Sequence, residues 1–147
     1  MSSSYGTQND LLLVNLNTFY KTEIDGEYNP NNNLDKMLRI ISGESKISLR
    51  IVDWFATNYA KKQYTVYDIA ETPTKVGRRF KVFDDYKLKL KAYSKKRFDP
   101  FCRWERISIP YKQTKYIETT IGQLNFFKWA LDNQVIDYVI EHYDEIE

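Results

Sequence analysis

The middle of the sequence holds the side chains with the clearest capacity for chemistry, a dense set of cations between residues 75 and 106. Residues 61–115 contain 16 Lys and Arg against 6 Asp and Glu, although the 147-residue chain has a net charge of only +2. Aromatic residues interleave with these cations. Cationic groups neutralise phosphates and aromatic rings stack on bases, so this composition is typical of a nucleic-acid-binding surface.

Helical spacing would gather part of this charge into one ridge. Lys87, Lys91 and Lys95 fall at i, i+4 and i+8, where like charges repel each other unless a partner neutralises them. We predict that the ridge contacts phosphates of DNA or RNA. The other predicted phosphate contacts are Lys96, Arg97 and Arg103, and the predicted stacking groups are Tyr93, Phe98 and Trp104.

Three other interpretations of the basic segment stay open. In the first, the lysines serve only as a solvated face over an aromatic core. In the second, residues 116–147, which contain 1 Lys and 7 Asp and Glu, fold onto the basic centre and neutralise part of it. The same cations and aromatics also suit an interface with protein partners, because aromatic residues and Arg are typical interface anchors.

The residues needed for catalysis are few. His142 is the only histidine and Cys102 the only cysteine, and no glycine-rich phosphate-binding motif is present. A single cysteine excludes an internal disulfide, and a zinc site is not expected, while Mg²⁺, which needs only a carboxylate or two, stays open. We therefore predict a protein that is not an enzyme and holds no cofactor or metal.

No targeting or membrane-spanning segment is expected. The first ten residues lack both the basic and the apolar part of a signal peptide. The longest apolar runs are about four to six residues, against the roughly 20 that span a bilayer. The sequence predicts a soluble protein of a reducing compartment, without membrane insertion.

The element pattern predicts a single compact α+β domain over residues 10–147, preceded by a mobile arm at 1–9. About four to five helices and a small antiparallel hairpin are expected. In the first half of the chain we predict a strand at 11–16, a loop at 21–33, a helix capped by Asn33 and Gly43, and a helix at 46–62 capped by Ser45. A strand at 64–69 and a hairpin of 105–111 with 115–120 follow. The chain is then helical after a capping box at Thr120, with a break at Asp132–Asn133.

Residues 80–96 fit two periods. Phe83, Tyr86, Leu90 and Tyr93 have helical spacing, while residues 86–91 alternate as a strand would. We predict a helix because the longer period covers more residues, although strand at 84–92 stays an alternative. With this helix, the order of elements is loosely winged-helix-like, a plan in which the basic helix enters a major groove.

Three stretches carry a resemblance to known proteins: IVDWFATNYAKK (51–62), LKAYSKKRFDPFCRWERI (90–107) and TTIGQLNFFKWALDN (119–133). They resemble a family of small proteins encoded by nucleocytoplasmic large DNA viruses of algae and protists. The resemblance implies no functional residue. It implies a setting in a cytoplasmic viral factory or in the virion, so the expected partner is nucleic acid or, for a minor capsid or assembly protein, other viral structural proteins.

Overall fold

The computed structural model describes residues 8–103, 106–111 and 115–147, with side chains from Leu13 onward. The helices are α1 (Gln8–Phe19), α2 (Asn33–Ile41), α3 (Leu49–Trp54), α4 (Ala60–Gln63), α5 (Val82–Tyr93), α6 (Lys95–Phe98), α7 (Ile121–Asp132), α8 (Val135–Glu141) and α9 (Tyr143–Ile146). The strands are β1 (Glu23–Ile24), β2 (Glu27–Tyr28), β3 (Val66–Ile69), β4 (Arg78–Lys81), β5 (Arg106–Tyr111) and β6 (Lys115–Thr120). A π-helical turn, Phe55–Tyr59, joins α3 to α4. The predicted α+β class is confirmed.

Helix α7 lies inside the core because nearly all of its faces are apolar. Thr120 caps its start by accepting a hydrogen bond from the Gln123 backbone N–H at 3.1 Å, as the capping box predicts. Eight residues of α7 are buried, including Leu124 and Trp129. The Tyr20 hydroxyl donates to the Leu124 carbonyl at 2.5 Å, which ties the beginning of the described chain to this buried helix.

The predicted strand at 11–16 is wrong, because this segment lies within α1. A short apolar run does not distinguish a strand from a helix. Leu16 and Tyr20 are four positions apart and both are only 1% exposed, so helical spacing brings them to one face against the core. Of the predicted mobile arm, residues 1–7 lie outside the described chain, and Gln8 and Asn9 begin α1.

The next two predicted helices are confirmed, with different caps. Asn32, rather than Asn33, caps α2 by accepting from the Asp35 backbone N–H at 2.8 Å. Ser48, rather than Ser45, caps α3. Asn and Ser side chains accept hydrogen bonds from the free N–H groups of the first helical turn. The sequence therefore predicted the correct type of capping residue for each helix but not its position.

The segment that fitted both periods is a helix from Val82 to Tyr93, preceded by a strand that the sequence did not predict. Strand β4 pairs antiparallel with β3, with Tyr67 opposite Phe80. The chain after β4 is helical, because helical spacing buries both Val82 and Tyr86. Ser94, with a φ of 72°, ends α5, so the single predicted helix at 80–96 is too long at both ends.

The predicted hairpin is confirmed as β5–β6, with Ile109 opposite Ile117 and residues 112–114 outside the described chain. Within the described residues, β1–β2, β3–β4 and β5–β6 form three separate two-stranded antiparallel sheets. Strand β3 therefore pairs with β4 instead of joining the hairpin, so the strands that the structure describes do not form the winged-helix-like arrangement.

Helices in the described chain outnumber the predicted four to five. Breaks at Ser94 and at His142 divide segments that the periodicity left continuous. The predicted break at Asp132–Asn133 is confirmed, because α7 ends at Asp132 and Gln134 (φ 58°) precedes α8. None of the helices formed by the described residues has both the length and the apolar character needed to cross a membrane.

Candidate nucleic-acid interface

Helix α5 carries most of the predicted site and is oriented by its apolar residues. Val82 and Tyr86 are buried, which turns the opposite face to solvent. Lys87 and Lys91 are exposed on that face, and Leu88 between them is 65% exposed. The predicted helix thus presents two of its cations outward, together with an apolar side chain.

Lys87 and Lys91 have no carboxylate partner in residues 8–103, 106–111 and 115–147. None of the ion pairs within 4.0 Å in the described part of the chain involves either lysine. The Lys87 ammonium lies 5.5 Å from the centroid of the Phe83 ring, a cation–π arrangement that leaves its other side open. Because the two lysines are four positions apart, they repel each other, and a polyanion would relieve that repulsion.

The predicted ridge does not continue to Lys95 on one helix. Helix α5 ends at Tyr93, Ser94 adopts a positive φ, and Lys95 begins the short helix α6. Lys95 is exposed and forms no ion pair with the rest of the described chain. It remains a solvent-facing cation next to the ridge along the chain, but the i+8 geometry was wrong.

The other predicted phosphate contacts follow Lys95. Lys96 and Arg103 are exposed and Arg97 is half-buried. Asn125 of α7 donates to the Arg97 carbonyl at 2.8 Å, which anchors α6 on the core. These cations therefore lie on a backbone that the buried helix α7 holds in place.

Among the predicted stacking groups, the structure corrects one. Phe98 has no exposed surface and belongs to the core, so it is unable to meet a base. Tyr93 is half-buried and stacks on Phe98, with ring centroids 5.9 Å apart and planes 8° apart. Trp104 lies outside the described residues, while Phe101, another aromatic within the basic segment, is 53% exposed.

The sequence missed a second group of residues beside the ridge. The Lys61 ammonium of α4 lies 5.5 Å from the same Phe83 ring that Lys87 contacts. Tyr64, 65% exposed with a φ of 49°, and Lys81 line a cavity of about 190 Å³ next to Phe83. The sequence places lysines at the end of this helix but does not relate them to the site. Only the packing of α4 on α5 shows that they lie next to it.

The acidic end of the chain leaves the ridge uncovered. Of the ion pairs in the described residues, one joins residues 61–115 to residues 116–147, between Arg106 and Glu118 at 2.7 Å across β5–β6. Lys128 pairs with Asp132 inside the acidic segment at 3.0 Å. Helix α8 packs against α3 and α7. Among the residues that the structure describes, no ion pair therefore neutralises Lys87 or Lys91.

Two carboxylates lie beneath α5. Burial, and then the nearby Asp99 carboxylate, raise the pKa of Asp53 to about 6. Burial, followed by Asp53 and Asp99, raises the pKa of Tyr86 to about 12. Both carboxylates thus act on Tyr86, which belongs to the buried face of α5.

The residues considered for catalysis do not assemble into a recognisable centre. The His142 ring stacks on Tyr138 with centroids 4.0 Å apart, and its Nδ1 lies 3.0 Å from the Tyr138 carbonyl oxygen. Cys102 follows α6 and is half-buried. Over the described ranges, no group of three His, Cys, Asp or Glu side chains is placed to hold a metal ion.

Comparison with protein families relates the whole described chain to one group. The model of a family of unknown function, DUF7197, matches residues 6–147. The chain belongs to this family. The DUF7197 match extends from α1 to α9 and includes both the basic ridge and the acidic C-terminal helices.

This DUF7197 chain is also similar to "Uncharacterized protein L507" of Acanthamoeba polyphaga mimivirus, with 48% identity over 118 residues. The alignment covers 76% of the chain and 44% of the relative, so the chain spans less than half of the relative's length. The predicted resemblance to giant-virus proteins is confirmed. No solved structure matches the chain.

Proposed function

We propose that this protein is a non-enzymatic nucleic-acid-binding protein that contacts phosphates through the outer face of α5 and the cations next to it. The observation that carries the proposal is the exposed pair Lys87 and Lys91, which has no carboxylate partner in the described chain. Cations that repel each other on one face favour a polyanionic partner, because phosphate binding neutralises them and releases counterions.

The surroundings of the pair support the same partner. Lys61 and Lys81 extend the positive charge beside Phe83, and Lys95, Lys96 and Arg103 extend it toward α6. Phe101 and Tyr64 offer exposed rings that suit stacking on unpaired bases. The similarity to a mimivirus protein makes a cytoplasmic viral factory, or the particle, the setting in which we expect this binding.

The alternative is a structural virion or assembly protein that uses this face against protein partners. Leu88, at 65% exposure between the two lysines, favours it, because an apolar group adds nothing to a phosphate contact. The two proposals differ in their response to salt. Phosphate binding weakens steeply as counterions are added, whereas an aromatic and apolar protein interface does not.

Fluorescence anisotropy with labelled 30-nucleotide single strands and duplexes of mixed sequence, measured over a series of salt concentrations, tests the proposal. We expect the logarithm of the association constant to fall linearly with the logarithm of the salt concentration. The slope should be roughly −0.7 to −0.9 for each phosphate contacted. The double substitution Lys87→Glu/Lys91→Glu should weaken binding more than about tenfold. It should also make the slope shallower by the amount expected for the loss of about two phosphate contacts.

One further variant serves as a control, and a second tests the stacking contact. Lys36→Glu makes the same charge change at an exposed lysine of α2, and should alter affinity less than about twofold. Phe101→Ala should weaken single-strand binding by about 1–3 kcal/mol and leave duplex binding unchanged, because only unpaired bases stack on a ring. Absence of binding to every strand at low salt would refute the proposal and favour the structural alternative.

A further inference from the structure

A second basic feature lies on another flank of α5, separate from the ridge. A cavity of about 310 Å³ opens between α5, α7 and the segment leading into β4. Its charged lining residues are the cations Lys75, Arg78, Lys89 and Lys128 and the carboxylates Asp85 and Asp132. Neither Lys87 nor Lys91 lines this cavity.

The two carboxylates are already engaged. Asp132 pairs with Lys128 at 3.0 Å, and Asp85 accepts a hydrogen bond from the Trp129 indole N–H at 2.7 Å. The remaining cations, Lys75, Arg78 and Lys89, have no ion pair within 4.0 Å in the described chain. The lining therefore has a surplus of two positive charges and three cations available to an anion.

Arg78 is held in position at the mouth of this cavity. Its guanidinium donates to the Asn133 side-chain oxygen and lies 5.4 Å from the centroid of the Phe80 ring. Asn133 is buried, its amide donates to the Trp129 carbonyl at 2.9 Å, and its own carbonyl accepts from the Tyr67 hydroxyl at 2.6 Å. A guanidinium has five N–H donors, so the bond to Asn133 fixes Arg78 and leaves other donors for a ligand.

We propose that this cavity binds a phosphate monoester, carried either by a small nucleotide or by the 5′ end of a nucleic-acid strand. Arg presents a planar set of donors that matches phosphate oxygens, and two ammonium groups complete the charge. The volume is at the lower end of that of small-molecule sites, which suits a nucleotide-sized group. The inference does not rest on the proposed function, because the ridge residues take no part in it.

Calorimetric titration of the full chain with matched ligand pairs tests the inference. AMP is compared with adenosine, and a 5′-phosphorylated hexanucleotide with its 5′-hydroxyl counterpart. In at least one pair, the phosphorylated member should bind about tenfold more tightly or better, the difference expected from charge-assisted hydrogen bonds. A preference in the first pair identifies a free nucleotide as the source of the phosphate, and a preference in the second pair alone identifies a strand end.

Variants then locate the site. Arg78→Gln and Lys89→Gln should each reduce the phosphate preference by about tenfold, whereas Lys36→Gln at an exposed lysine of α2 should leave it within about twofold. The inference is overturned if neither pair shows a phosphate preference, or if the preference survives both cavity substitutions. Failure of the ridge proposal would leave the AMP result unchanged, because its test uses different lysines.

Discussion

At the scale of single residues, burial decides what each side chain of the basic segment can do. Phe98 and Phe101 are three positions apart, yet Phe98 has no exposed surface and Phe101 is 53% exposed. Both were equally aromatic in the sequence. Only the ring that packing leaves outside is available to a partner, so the proposed function assigns stacking to Phe101 and not to Phe98.

Asp53 provides a prediction about pH at the same scale. Its pKa in the folded protein is raised to about 6, above the value of an unfolded aspartate, so folding favours the protonated form. The contribution of Asp53 to stability is therefore best below about pH 4 and is lost as pH rises to about 6. Because the side chain is partly solvated, we expect a loss of only about 1 kcal/mol.

The substitution Asp53→Asn isolates this effect from that of other carboxylates. Urea unfolding should show the variant to be about 1 kcal/mol more stable than the original protein near pH 7.5, with the difference disappearing near pH 4. An equal stability difference at both pH values would mean that the Asp53 carboxyl does not titrate as described.

At the scale of elements, the close approach of α6 to α7 positions the end of the basic segment. A Cβ atom at Gly122 would lie 2.5 Å from the Asp99 carbonyl oxygen and 3.2 Å from that of Lys96. Both neighbours are backbone atoms, which do not move aside as a side-chain tip would. Gly122 thus allows α6 to lie directly on α7, where Asn125 holds the Arg97 carbonyl.

The substitution Gly122→Ala tests this contact, because two effects predict opposite signs for its change in stability. Helix propensity alone predicts that Gly122→Ala stabilises the protein by roughly 0.5–1 kcal/mol. The steric conflict predicts the opposite, a loss of about 1–3 kcal/mol, and we expect this second effect to prevail. Chemical denaturation measures the free energy of unfolding, and a gain in stability would contradict the close packing of α6 on α7.

At the scale of the whole molecule, one core joins both ends of the described chain. Its buried residues run from Leu16 of α1 to Ile146 of α9, and α7 contributes Leu124, Phe127 and Trp129. Elements that share one core usually unfold together. This shared core is the physical reason to expect a single domain over residues 10–147, which stays a prediction.

We therefore expect one cooperative unfolding transition. Far-ultraviolet circular dichroism, which reports helix content, and tryptophan fluorescence, which reports core packing, should give coincident curves in urea. Leu16→Ala should shift both curves by the same amount, with a loss of about 2–5 kcal/mol. Separate transitions for the two probes would contradict a single cooperative domain.

The sequence predicted most elements whose signals are local. The hairpin β5–β6, the capped start of α7 and the helix after Val82 follow from alternation, a capping box and helical spacing within a few residues. The strand predicted at 11–16 was wrong because a short apolar run has no period long enough to separate strand from helix. Strand β4 was missed because its partner β3 lies nine or more residues away.

For the candidate site, the sequence by itself determined the surplus of cations in the middle of the chain and the exposure of Lys87 and Lys91, because both follow from residue type and helical period. Tertiary structure decided which neighbours complete it. Lys61 and Lys87 both lie beside the Phe83 ring, and Arg78 and Lys89 both line one cavity. These arrangements exist only because α4, α5, α7 and β4 pack together. Contacts between distant segments depend on the packing of the whole core, which no local pattern encodes.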